Sequence, residues 1–216
     1  MNQNTSDVLN AFVTRMRNQT IRYYRELNQI AEKGQTVCAG SSLMENFPIN
    51  EMLMNQGCTK KVYNRGIKGF TIDEYNEVLD VVLDLAPSKL FINIGSNDLN
   101  LPGDTLGNLI SKYKSLILRI QEVLPTCQIT MLAFYPCRDS NAPTPRAGHI
   151  PRTMSMVNLA NEHLEKLASE LGCYWLNCNA PLLAEDGMLR EDIMTDPIHF
   201  SPAGYAGVLE ILKEYL

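Results

Sequence analysis

Four short stretches of this sequence hold side chains that, brought together, could carry out acyl transfer. Asp196-Pro197-Ile198-His199 sets a carboxylate three residues from an imidazole. In a turn or helix-like segment, two side chains at that spacing lie on one side. The carboxylate can then accept a hydrogen bond from one ring nitrogen, which fixes the tautomer and leaves the other nitrogen able to take a proton. Ser42, within Gly40-Ser41-Ser42-Leu43, offers a hydroxyl, which is a weak nucleophile until a neighbouring base removes its proton. Acyl transfer also needs donors where the carbonyl oxygen gains charge. The Ser42 N–H, the N–H of Gly69 and the side-chain amide of Asn97, within Gly95-Ser96-Asn97-Asp98, are the candidates for that oxyanion hole.

Taken singly, each residue has a plainer reading. Ser42 is a helix N-cap, Gly69 a turn glycine, Asn97 a residue bonding its own loop and His199 a satisfied structural histidine. Asp98 reads as structural, accepting backbone N–H bonds that hold loops.

The elements that must position these residues alternate between strands and helices. Thr36 to Ala39, Lys61 to Asn64, Lys89 to Ile94, Cys127 to Phe134 and Cys173 to Leu176 read as five short strands. Helices are expected from Ser42 toward Met54, over Thr71–Leu85, Thr105–Val123 and Met154–Leu171, and from Pro202 to the end. Short buried strands alternating with helices mean parallel pairing with helices on both faces, so a flavodoxin-like, three-layer α/β/α sandwich is expected. In such a sheet ligands bind beyond the carboxyl ends of the strands, where the polar and glycine-rich stretches lie. Residues 6–33 read as an amphipathic N-terminal helix with Leu9, Phe12, Met16, Tyr23, Leu27 and Ile30 on one face, Asn2, Asn4 or Ser6 as cap and Gly34 as stop. That face is either core or a homodimer contact. Residues 136–153 hold four prolines and read as a surface loop. Arg138, Arg146 and Arg152 around it either meet an anionic group of a substrate or are solvated surface, the commoner fate.

Bulk properties narrow the class. The 216 residues suffice for one domain, read as 1–216, with a full core. A net charge of -5 argues against nucleic acid as the main partner and does not select between acidic and neutral small-molecule substrates. No apolar run nears the ~20 residues of a membrane span. The polar start, MNQNTSDVLN, lacks a charged-then-apolar leader pattern, so a cytoplasmic location is expected. Cys38, Cys58, Cys127, Cys137, Cys173 and Cys178 form no C-x-x-C pair and are expected as thiols in a reducing compartment. His149, His163 and His199 are scattered, so no metal site is expected, and the chemistry above needs no organic cofactor.

The four blocks, in this order, resemble the SGNH (GDSL-type) hydrolase family. The nucleophile motif G-D-S-L stands here as Gly40-Ser41-Ser42-Leu43. The N-x-x-x-x-G block runs from Asn64 to Gly69, G-x-N-D is Gly95-Ser96-Asn97-Asp98, and D-x-x-H is Asp196 to His199, followed by Ser201-Pro202-Ala203-Gly204-Tyr205. The likeness spans residues 36–207. Within it, Gly40 to Pro48 (GSSLMENFP) looks most like the platelet-activating-factor acetylhydrolase-like branch. The resemblance implies Ser42 as nucleophile, Asp196 and His199 as its triad partners, Ser42, Gly69 and Asn97 as oxyanion hole, the three-layer fold, and hydrolysis of esters of short acyl groups. Ser41 departs from the pattern, since the family has aspartate there. That puts the turn's hydrogen bonds in doubt and sets a rival hydroxyl beside Ser42. Deacetylation of a sugar, thioester hydrolysis and a non-catalytic binding module on the same fold remain open alternatives.

Overall fold

The computed structural model describes residues 3–139 and 149–216, with side chains from residue 8 onward. Five parallel strands form the central sheet: β1 (Thr36–Gly40), β2 (Val62–Gly66), β3 (Lys89–Asn93), β4 (Gln128–Leu132) and β5 (Tyr174–Leu176). Their order is β2-β1-β3-β4-β5, with β1 paired in parallel to β2 and β3. This is the flavodoxin-like order. Among the described residues, eight helices accompany the sheet: α1 (Gln3–Asn28), α2 (Ser42–Glu45), α3 (Ile49–Asn55), α4 (Ile72–Glu77), α5 (Asp80–Leu83), α6 (Leu106–Val123), α7 (Met154–Glu170) and α8 (Pro202–Leu212).

Alternation along the strands divides the core in two. Val37, Ala39, Leu90, Ile92, Ile129 and Met131 pack with α4, α5, α6 and α7 on one face. Cys38, Val62, Phe91, Leu132 and Leu176 pack with α2, α3 and α8 on the other. Successive strand side chains point to opposite faces, so a strand covered on both sides is apolar at most positions. The chain therefore forms the expected three-layer sandwich.

Several local expectations need correction. The helix expected from Ser42 to Met54 is two helices, because Pro48 at the start of α3 lacks the N–H that a continuous helix would use. The helix expected over Thr71–Leu85 also divides, at Val78, whose backbone leaves the helical region (φ -118°, ψ 24°). Its start is marked by a capping box between Thr71 and Glu74. Helix α1 ends at Asn28, well before the expected stop at Gly34, and Asn28 turns inward to donate to Val81 O at 3.0 Å.

The larger difference is the face α1 presents. Leu9, Phe12, Met16, Tyr23, Leu27 and Ile30 are exposed rather than core. The helix docks through Arg17, Ile21, Tyr24 and Asn28, and by a paired contact of Arg25 with Asp80 at 2.6 and 3.0 Å. The cap candidates Asn2, Asn4 and Ser6, and Arg146 with Pro143 and Pro145, lie outside the described residues or side chains.

Candidate active site

Strand β1 runs into Ser41 and Ser42, and helix α2 begins at once. The turn is held from three sides. Tyr205 of α8 donates to Leu43 O at 2.8 Å. Asn64 of β2 donates to Met44 O at 2.6 Å and Phe47 O at 3.2 Å. At the end of β2, Gly66 lies so close to α2 that a Cβ there would stand 2.2 Å from Glu45 N. Ser41 is buried while Ser42 is half-buried, so the two neighbouring hydroxyls occupy different surroundings.

The segment bearing Asp196 and His199 is a small antiparallel hairpin of β6 (Met194–Asp196) and β7 (His199–Phe200) in which the two residues are register partners. The segment is thus a hairpin rather than the expected turn or helix-like stretch, and strands this short carry no periodicity to mark them. Asp196 Oδ1 accepts from the N–H groups of Ile198 (2.9 Å) and His199 (3.0 Å). Asp196 Oδ2 lies 2.7 Å from His199 Nδ1, and His199 Nε2 lies 2.8 Å from Ser42 Oγ. Burial would raise the Asp196 carboxyl, but the Ile198 N–H and the His199 ring outweigh it and hold the group below its ordinary range. The carboxylate thus stays charged beside the imidazole. Phe200 packs on Tyr205 at 4.5 Å and Tyr205 stacks on Phe47 at 4.9 Å, joining the hairpin to the Ser42 turn.

Gly69 and Asn97 lie beyond the strands that flank β1. Gly69 has φ +70°, a backbone that glycine adopts without strain. A Cβ there would also meet Arg17 Nη2 at 2.5 Å. Arg17 of α1 donates through Nε to Lys68 O (3.0 Å) and through Nη2 to Gly69 O (2.6 Å). Tyr24 on the same helix donates to Gly66 O at 2.7 Å. Lys68 N donates to Glu45 Oε2 at 2.6 Å, tying this loop to α2. Asn97 Nδ2 donates to Phe70 O at 2.9 Å, which brings the amide against the residue after Gly69. Asp98 accepts from Ile72 N at 3.1 Å, the structural task expected of it.

The loop arginines part company. Arg138 pairs with Asp186 at 2.9 Å and donates to Leu189 O at 3.0 Å. Arg152 is not solvated surface: it is buried, and Nη2 donates to Asn97 Oδ1 (3.3 Å) and Asn100 Oδ1 (2.8 Å). Burial lowers its pKa to about 10, and no carboxylate among the described residues pairs with it. His163 is exposed on α7. Arg17 and Tyr205 went unsingled in the sequence. Tyr205 stands in the Ser-Pro-Ala-Gly-Tyr stretch, whereas nothing in the pattern of α1 marks Arg17.

A doubly wound parallel sheet with a serine, a histidine and an aspartate hydrogen-bonded in series at its carboxyl rim is the architecture of the SGNH hydrolases. The model of the GDSL-like lipase/acylhydrolase family matches residues 38–206, and the chain belongs to that family of ester-cleaving hydrolases. Solved structures agree on the fold. A Streptococcus pneumonia protein provisionally assigned as a platelet activating factor is 24% identical, with a TM-score of 0.85 covering 100% of this chain and 99% of that one. A GDSL-like lipase from Bacteroides thetaiotaomicron is 18% identical, with a TM-score of 0.74 over 90% of this chain and 96% of its own. The acetylxylan esterase Axe2 from Geobacillus stearothermophilus is 16% identical, with a TM-score of 0.63 over 85% and 94%. No curated protein matches the chain. Among the described residues, no helix is long and apolar enough to cross a membrane.

Proposed function

We propose that this protein hydrolyses carboxylic esters of short acyl groups through an acyl-enzyme on Ser42. The observation that carries the reading is the continuous series Ser42 Oγ–His199 Nε2–His199 Nδ1–Asp196 Oδ2, at 2.8 and 2.7 Å. Ser42 Oγ attacks the ester carbonyl as its proton passes to His199 Nε2, and Asp196 stabilises the imidazolium. The oxyanion accepts from the Ser42 N–H, the Gly69 N–H and Asn97 Nδ2. The C–O bond to the alcohol breaks and the alcohol leaves with the His199 proton. Water, deprotonated by His199, then attacks the acyl-enzyme and releases the acid and the Ser42 hydroxyl. Ser42 is preferred over Ser41 because it has the imidazole as its partner.

A short acyl group is favoured by the likeness to an acetylxylan esterase, whose name specifies acetyl esters. Six unpaired thiols favour a reducing, cytoplasmic setting. The exposed apolar face of α1 favours a homodimer.

A fluorophosphonate probe with peptide mapping tests the reading, alongside turnover of p-nitrophenyl acetate and butyrate, an acetylated sugar and an acyl thioester. Label on Ser42, ester turnover and its loss in a folded Ser42→Ala variant are expected. Faster turnover of the sugar or the thioester would redirect the substrate class. A folded protein that neither labels nor turns over would be a binding module.

A further inference from the structure

We propose that Arg17 and Arg152 are positioning residues for the oxyanion hole, each holding one of its donor amides from the acceptor side. Arg17 serves the Lys68–Gly69 peptide and Arg152 the Asn97 side chain. The proposal rests on the oxyanion reading given above.

The geometry of an amide makes the argument. In a trans peptide the C=O and the following N–H point in opposite directions, and no cis peptide occurs among the described residues. The N–H assigned to the oxyanion is that of Gly69, so the carbonyl of the same peptide is that of Lys68. Arg17 Nε donates to that carbonyl at 3.0 Å, and Nη2 donates to the next one, Gly69 O, at 2.6 Å. A fork on two successive carbonyls fixes the orientation of the peptide between them. It also draws electron density toward the carbonyl oxygen, which strengthens the opposite N–H as a donor. Arg17 is itself held, by Glu74 Oε1 at 3.0 Å and over the Phe70 ring at 5.0 Å. Glu74 in turn accepts from Thr71 N at 2.9 Å, so the residues after Gly69 belong to the same assembly.

Asn97 repeats the arrangement with a side-chain amide. Arg152 Nη2 reaches its Oδ1, and one Nδ2 hydrogen goes to Phe70 O. The oxygen and one hydrogen are thereby committed, and the amide orientation is fixed with its second hydrogen left for substrate. Arg152 is 5% exposed, with Nε unpartnered. A buried cation without a carboxylate costs stability, and such a cost is tolerated where a site needs charge. Here the charge lies one amide away from the oxygen that becomes negative.

The test is steady-state hydrolysis of p-nitrophenyl acetate by the full chain. Losing a whole oxyanion donor costs about 10²–10³ in kcat, so losing its backing is expected to lower kcat roughly 10- to 100-fold in Arg17→Met and in Arg152→Met, with KM within about threefold. In an Asn97→Ala background, Arg152→Met is expected to cost less than about twofold more, because its donor is already gone, whereas Arg17→Met keeps its full factor. Arg25→Met, which removes an α1 anchor remote from the Gly69 loop, is expected to retain wild-type kcat. Arg17→Lys and Arg152→Lys keep the charge and are expected to recover part of the loss; they also stand in for a methionine variant that does not fold.

Wild-type kcat in the arginine variants would overturn the proposal. So would an undiminished Arg152 effect without Asn97, or an equal loss in Arg25→Met. Those results would leave the Ser42 reading standing if Ser42→Ala is inactive, whereas turnover that survives Ser42→Ala would overturn both.

Discussion

At Asp196, the two carboxylate oxygens have separate duties. Oδ1 accepts from two backbone N–H groups and Oδ2 faces His199 Nδ1. An asparagine at this position must leave its oxygen with the two N–H donors and turn its NH₂ toward the ring. Nδ1 then has to accept, the ring proton moves to Nε2, and Nε2 can no longer take the Ser42 proton. Asp196→Asn is therefore expected to lower kcat by up to about 10⁴-fold while the fold persists, the cost seen when a triad imidazole is held in the wrong tautomer. Activity within tenfold of wild type would mean that Asp196 only positions the hairpin. The candidate residues Ser42, Asp196, His199, Gly69 and Asn97 were legible in the sequence because each sits in a short block with a chemical reason for its spacing. Arg17 was not, and Arg152 stood out only as one of three loop arginines, with no sign that it meets Asn97. A guanidinium acts by where its fork lands, and the carbonyls and amides it meets lie 51 to 55 positions away.

At the scale of elements, Asp98 ties the turn after β3 to the first residue of α4. Burial is the chief influence on its carboxyl and pushes it to about 7, against an ordinary 3.8, with the Ile72 N–H and Lys112 opposing. A native carboxyl that holds its proton more tightly than the unfolded one favours folding in acid. That contribution is complete below the unfolded pKa and is lost as pH rises through about 7. Asp98→Asn keeps an acceptor for Ile72 N and removes the titration. Its melting temperature relative to wild type is expected to climb by on the order of 5 °C between pH 5 and pH 8. A constant difference across that range would show that Asp98 is charged throughout.

Strands β1 to β5 were readable to within a few residues: burial makes β1, β3 and β4 largely apolar, while the edge strands β2 and β5 are partly exposed. The division of α2 from α3 was legible in principle at Pro48. The break at Val78 was not, since the apolar pattern continues through it. Hairpin β6–β7 is specified by Asp196 accepting from the backbone and by Phe200 against Tyr205, contacts that no local pattern announces.

At the scale of the molecule, α1 serves two faces. Arg17, Ile21, Tyr24 and Asn28 recur at steps of three and four and meet the domain. Leu9, Phe12, Met16, Tyr23 and Leu27 lie about a third of a turn around the helix, at 100° per residue, and remain exposed. The apolar periodicity was correctly legible as a stripe, but polar anchors hold the helix to its own domain and leave that stripe outward. An unpaired apolar stripe on a helix so anchored suits a second copy of the same helix, packed about a two-fold axis so that each stripe covers the other. Sedimentation velocity at micromolar concentration is then expected to give twice the 24.3 kDa chain mass. Phe12→Glu with Met16→Glu places four charges in that contact and is expected to yield monomers. Because Arg17, Tyr24 and Asn28 are untouched, those monomers are expected to keep kcat within about twofold of wild type. A wild-type monomer would remove the dimer. A charged variant that is monomeric and inactive would instead mean that pairing is what keeps α1, and Arg17 with it, seated on the Gly69 loop.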